Sequence, residues 1–360
     1  MHPQHTHKII PSLNGLRALS IIMVILSHLK ANCFLPENYF FRYAGMIICN
    51  GALGVTIFFI ISGFLITTLL IKEREKNGFI FLKKFYARRI IRIFPAYYFL
   101  LFVYFILTQL NYAEISTTSW IAALFYLRQF YPIYEHLIGH LWSLSVEESF
   151  YVFFPLLFIS VKKNLNTILI VLIVMVTIGR LFLFEHPVPA LSQTIVSSAD
   201  SLLVGCLIAV NYDLLVLIIN KITIIKYIAP IILVTSILGN YYIYHIYGYG
   251  NDAGIYVSAS GYAFFGDLGL VTNLCIAVVI LTSITQEDYW FRFLNTRALN
   301  YIGVLSYSIY LWQQLFTDDR PYLHKIPVIV IFAIIFACAI ISYYCIEKPF
   351  LKLKRHFETS

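Results

Sequence analysis

An all-α, polytopic membrane protein of about ten transmembrane helices is the fold class this sequence predicts, and three observations predict it. Hydrophobic residues fill 60% of the 360 positions and charged residues only 12%, with a mean hydropathy of +0.78. A soluble domain carries about a quarter charged residues. Apolar runs of the roughly 20-residue length that crosses hydrocarbon recur along the whole chain. Lys and Arg collect on alternate connecting segments, as the positive-inside rule requires.

The windows that meet this expectation are 13–30, 52–71, 93–110, 142–161, 166–184, 199–218, 224–244, 266–284, 301–316 and 326–345. Those at 142–161 and 301–316 are the least apolar. With the N-terminus in the cytoplasm, 20 of the 26 Lys and Arg residues fall on inside segments. Both termini are then cytoplasmic, in the inner (plasma) membrane of the cell. The same bias accounts for the net charge of +8 without a nucleic-acid partner. The expected division is a tail over 1–12, a transmembrane domain over 13–350 and a cytoplasmic tail over 351–360. The first span lacks a small-residue cleavage site and is interrupted by polar groups, so it is expected to be retained rather than cleaved. His2, His5 and His7 belong to the tail.

Six cysteines contain no CxxC, and four of them (Cys206, Cys275, Cys338, Cys345) fall in spans. Cys33 and Cys49 bracket the first outside loop, as a disulfide in an oxidising compartment or as two free thiols. His136 and His140 have i,i+4 spacing, but without a third ligand no metal is expected. The outside loops, near 31–51, 111–141 and 245–265, are too short for a separate catalytic module. Tyr241–Gly261 is rich in Tyr and Gly, suited either to stacking on sugar rings or to an interfacial aromatic belt.

The chemistry begins in the first span. Arg17 and His28 lie eleven residues apart, so they share one helix face, with a rise of roughly 16 Å between them. Ionisable groups are costly in hydrocarbon and mark function when they persist there. A cation at the cytoplasmic side and an imidazole deeper in the membrane suit an anion grip and proton chemistry. Histidine, with a reference pKa of about 6.5, is the candidate general base. The alternative is a core histidine bonded to a neighbouring helix. Glu147 and Glu148 sit at the mouth of the fourth span, where a helix dipole favours negative charge. Glu147 is the candidate to orient and stabilise a protonated His28, against a plain capped helix start. Arg88, Arg89 and Arg92 share a helix flank before the third span. Their planar forks suit phosphate, though inside-positive anchoring alone also accounts for them. Ser27, Ser62, Ser143 and Ser306 could carry an acyl group, but no serine-elbow signature supports that.

These motifs together resemble the acyltransferase 3 family. The carriers are Arg17-x10-His28, Phe58-Phe59-Ile60-Ile61-Ser62-Gly63-Phe64-Leu65, Arg88-Arg89-x2-Arg92-x2-Pro95, Trp142-Ser143-Leu144-x2-Glu147-x2-Phe150-Tyr151, Ser306-Tyr307-x2-Tyr310-Leu311-Trp312 and Glu347-x-Pro349. The resemblance runs from residue 13 to about 350. It implies an integral-membrane enzyme that moves an acyl group, commonly acetyl, from cytoplasmic acyl-CoA to hydroxyls of exported carbohydrates. His28, Arg17 and Glu147 would then be catalytic, and Arg88, Arg89 and Arg92 would hold coenzyme A. Trp142, Ser143, Asp200, Ser306, Tyr310 and Glu347 would serve as substrate or structural motif positions. Asp200 and Gly205 match an Arg-x-Asp…Gly element whose arginine place holds Ser198. Gln313 stands where many members have histidine, and Ser149 where glutamine is usual. Some members carry an extra span and an extracytoplasmic hydrolase-like domain, neither of which is seen through Ser360.

The expected reaction is O-acylation of a surface polysaccharide or its lipid-linked precursor. One rival is a transporter or flippase for lipid-linked sugars, which would share basic inner loops and buried charges. It would also favour paired halves with broken helices, and no internal symmetry is visible. Another keeps the enzyme and changes the acceptor to a secreted metabolite or peptidoglycan.

Overall fold

The computed structural model describes residues 10–29, 44–45, 47–131, 135–161, 164–185, 194–247, 264, 266, 269–317 and 326–353. The N-terminal histidines, Cys33 with any bond to Cys49, the side chain of His136 and the aromatic side chains of 241–261 lie outside the described residues. Every regular element described is helical, as hydrocarbon demands of a segment that must satisfy its own backbone.

The helices are α1 (Leu13–His28), α2 (Gly51–Asn77), α3 (Leu82–Gln109), α4 (Thr117–Leu124), α5 (His136–Gly139), α6 (Leu141–Ser160) and α7 (Leu165–Glu185). There follow α8 (Ile195–Val210), α9 (Tyr212–Lys221), α10 (Ile225–Tyr247), α11 (Leu270–Thr285), α12 (Tyr289–Leu294), α13 (Arg297–Phe316), α14 (Val328–Ser342) and α15 (Lys348–Leu353). A 3-10 turn, Arg128–Phe130, precedes α5, and a π-helical turn, Tyr343–Glu347, joins α14 to α15.

Each predicted window falls on a helix. Five stretches among the described residues are long and apolar enough to cross a membrane: Gly51–Asn77, Leu82–Gln109, Leu137–Ser160, Leu165–Phe182 and Val328–Leu353. Leu13–His28, Ile225–Gly239 and Leu270–Thr285 are apolar but shorter. The 20-residue α13 is diluted by Ser306, Ser308, Gln313 and Gln314, all buried. One window is corrected. Residues 199–218 do not form a straight span, because the chain bends by 83° between α8 and α9. Asn211 occupies the corner, where its side chain bonds the Leu207 carbonyl at 2.9 Å and exchanges amide bonds with Asn166 at 2.9 and 3.0 Å. Such local bonding competes with helix continuation.

Small residues set the helix approach, as is usual in membranes. A Cβ on Gly63 would meet the Leu202 carbonyl oxygen at 1.9 Å, and one on Gly205 would meet the Ile60 oxygen at 2.1 Å. The α2–α8 pair therefore touches backbone to backbone on both sides of one crossing. On its other side α2 packs against α1, which also lies along α13. The start of α1 is clamped. Ser12 N–H donates to Asn295 Oδ1 at 3.0 Å, and Asn295 Nδ2 donates to Ser12 Oγ at 2.8 Å. This clamp fixes the helix that carries both Arg17 and His28.

Candidate active site

Arg17 stands little more than one turn inside the clamped end of α1 and is half-buried. The charged or ionisable groups within electrostatic reach come from three other elements: Arg92 on α3, Glu147 and Tyr151 on α6, and Glu347 on the π turn. Arg92 is also half-buried and faces Glu147, Glu347 and Tyr151, with Arg89 beside it. Among the described residues neither Arg17 nor Arg92 makes a hydrogen bond or an ion pair within 4 Å. Two arginine forks thus point into the interior with their donors uncommitted.

The two carboxylates are held by hydroxyls. Ser62 and Tyr151 both donate short hydrogen bonds to Glu147 Oε1, and Ser308 donates one to Glu347. A π turn inserts an extra residue into a helix and re-aims the side chains beyond it. Here it turns Glu347 inward, where it is buried. The Arg89 guanidinium lies over the Tyr151 ring at 4.5 Å. Arg88 is different from its neighbours. It pairs with Glu73 at 2.7 Å, and Glu73 also accepts from the Phe81 N–H at 3.0 Å. That arrangement staples the turn between α2 and α3. The three arginines predicted as one cluster therefore occupy three settings: a loop staple, an aromatic face and the interior.

His28 closes the far end of α1. Its Nδ1 lies 2.8 Å from Gln313 Oε1 on α13. Thr317 Oγ1 donates to that same oxygen at 3.3 Å, and Gln313 Nε2 donates to Gln314 Oε1 at 3.2 Å. With the amide so oriented, the proton is assigned to Nδ1 and the basic lone pair to Nε2. Gln313 is thus a hydrogen-bond partner of His28 Nδ1, while the described hydrogen bonds of Glu147 go to Ser62 and Tyr151. From sequence alone Gln313 is only a departure from the family pattern. Two adjacent glutamines in an apolar helix are the signal that could have found it, since buried amides need partners.

The remaining motif residues take structural positions. Trp142 packs edge-on against Phe59 with ring centroids 6.2 Å apart. Ser306 bonds back to the Gly303 carbonyl at 2.8 Å. Tyr310 donates to the His140 carbonyl at 2.8 Å, and the Ser143 hydroxyl lies 2.5 Å from the Tyr310 oxygen and 3.2 Å from the same carbonyl, with one proton to give to one of them. Asp200 forms a buried ion pair with Arg180 of α7 at 2.6 Å and accepts from Asn273 Nδ2 at 3.1 Å. An arginine thus does reach Asp200, from the preceding helix rather than from position 198. No group of three His, Cys, Asp or Glu side chains suited to a metal occurs among the described residues.

A sequence model of the acyltransferase 3 family, described as an acyltransferase domain, matches residues 10–347. The chain is 28% identical over 378 residues to the O-acetyltransferase OatA of Staphylococcus aureus (strain NCTC 8325 / PS 47), covering 98% of this chain and 59% of that protein. It is 30% identical over 374 residues to a second protein named as an O-acetyltransferase, from Staphylococcus aureus (strain COL), covering 95% of this chain and 57% of the relative. The chain therefore spans less than two thirds of the length of these curated relatives. No solved structure matches it. The match extends over nearly every helix that builds the site, and the chain belongs to the acyltransferase 3 family.

Proposed function

We propose that the protein is a membrane O-acyltransferase that moves an acyl group, acetyl by preference, from cytoplasmic acyl-CoA to a carbohydrate hydroxyl. The acceptor class is a surface polysaccharide or its lipid-linked precursor. The observation that carries the reading is the pairing on α1 of an uncommitted arginine fork with an oriented imidazole. Membership of the family and the names of the relatives support acyl transfer to oxygen.

The topology belongs to the same proposal: ten spans, both termini cytoplasmic, in the inner membrane. It places Arg17, Arg89 and Arg92 on the side that acyl-CoA reaches. Arg89 and Arg92 hold phosphate oxygens, and Arg17 meets the pantetheine arm. The thioester then extends along α1 toward His28. His28 Nε2 takes the proton of the acceptor hydroxyl as its oxygen attacks the thioester carbon. The tetrahedral adduct breaks its C–S bond, and the imidazolium returns the proton to sulfur. The products are an O-acyl ester and coenzyme A thiol. The chain shows no serine-elbow signature, and direct attack by the acceptor is the proposed route.

Purified protein in nanodiscs, given acyl-labelled acetyl-CoA and a saccharide extract of the cell envelope, should release coenzyme A and label the saccharide. A transporter of lipid-linked sugars would move the saccharide with no label incorporated.

The arginines separate within this assay. Arg89→Lys/Arg92→Lys should raise the KM for acetyl-CoA at least tenfold, about 1.4 kcal/mol, because lysine keeps the charge and loses the fork. Arg88→Lys should change that KM less than twofold, since its fork engages Glu73. An unchanged KM in Arg89→Lys/Arg92→Lys, with the topology intact, would make the cluster a membrane anchor.

A further inference from the structure

His140, at the start of α6, has a buried ring with no use in the reaction described above. It is 4% exposed, and neither Nδ1 nor Nε2 has a hydrogen-bond partner. The Leu311 carbonyl lies beside the ring but outside hydrogen-bond geometry. Other orphaned polar atoms exist among the described residues, but this is the residue in which both side-chain nitrogens are orphaned. Leaving a buried donor or acceptor unmade costs on the order of 1–3 kcal/mol each, so native proteins rarely tolerate it without a reason.

The backbone beneath this ring is held firmly. The His140 carbonyl accepts from the Tyr310 hydroxyl, Ser143 bonds that same hydroxyl, and the Tyr310 ring stands against the imidazole with centroids 5.5 Å apart. His28 lies within electrostatic reach, as does Arg128. A pinned backbone and an unbonded ring beside the proposed base present a polar group to something absent from the protein. A neutral imidazole offers one N–H donor and one lone pair, the same two roles that a hydroxyl offers in return.

We propose that His140 is an acceptor-binding residue, whose ring hydrogen-bonds a hydroxyl of the carbohydrate adjacent to the one that His28 deprotonates. The inference rests on the acyltransferase reading. It gives Ser143 and Tyr310 a common purpose, which is to hold this ring in place.

The test uses full-length protein in nanodiscs, acetyl-CoA and envelope saccharide titrated by hexose equivalents. His140→Leu should raise the saccharide KM at least tenfold and leave the KM for acetyl-CoA within twofold. Its melting temperature should equal or exceed that of the wild type, because an apolar side chain removes two unmet polar groups. His140→Asn restores one donor and one acceptor, and it should recover part of the saccharide affinity. A lowered melting temperature with an unchanged saccharide KM would make His140 a packing residue and overturn the proposal. Should the leucine variant fail to fold, an unchanged saccharide KM in His140→Phe would overturn it as well. Absence of labelling by the wild type would instead remove the acyltransferase reading itself.

Discussion

Replacing His28 by alanine is expected to lower acyl transfer by roughly 10²–10⁴-fold, the usual loss when a general base is removed. The protein should remain folded in the membrane, since His28 ends α1 and the helix is anchored at its other end by Ser12 and Asn295. Glutamine at 28 should fail as well, because an amide cannot take the proton. Gln313→Leu should cause a smaller loss. It removes the acceptor on Nδ1 that sets the tautomer, without removing the base. Turnover of acetyl-CoA with envelope saccharide measures all three. Near-normal turnover by purified His28→Ala would show that another group accepts the proton.

Arg17 carries the second large effect. Arg17→Lys should lower kcat/KM for acetyl-CoA at least tenfold, and Arg17→Ala further. The reason is chemical rather than a matter of charge alone. The guanidinium stands among Arg92, Glu147, Tyr151 and Glu347, and none of them bonds it directly. Its fork stands in the field of its neighbours, and in the proposed reaction it meets ligand oxygens in two places at once. Lysine supplies a point charge in the same field. Equal kinetics for Arg17→Lys and wild type would mean that a cation suffices there.

Much of the fold is legible in the sequence, and the parts that are not share a cause. Apolar windows locate the helices because hydrocarbon imposes a length and a composition. The shared face of Arg17 and His28 follows from helical spacing alone. What spacing cannot give is which helix meets which. Gln313 and His28 are 285 positions apart, so their bond depends on α1 lying along α13. The same holds for Glu147, which bonds Ser62 across 85 positions. The inward turn of Glu347 needs a π turn, which leaves no mark in hydropathy. Arg88 looks equivalent to Arg89 and Arg92 because the helix flank is common to all three. Glu73, on the preceding helix, breaks that equivalence. Asn211 is one of several polar residues inside an apolar window, and its bonds to Asn166 at the bend join positions 45 apart.

In the proposed reaction one helix, with a cation near one end and a base at the other, lets a cytoplasmic donor meet an acceptor from the opposite side. Sealed vesicles of known orientation test it most directly. Acyl-labelled acetyl-CoA is supplied on the cytoplasmic face and envelope saccharide is confined to the other compartment. Labelled saccharide is expected on the far side, with coenzyme A released on the cytoplasmic side and His28→Ala abolishing both. Labelling only when donor and acceptor share the cytoplasmic compartment would contradict it.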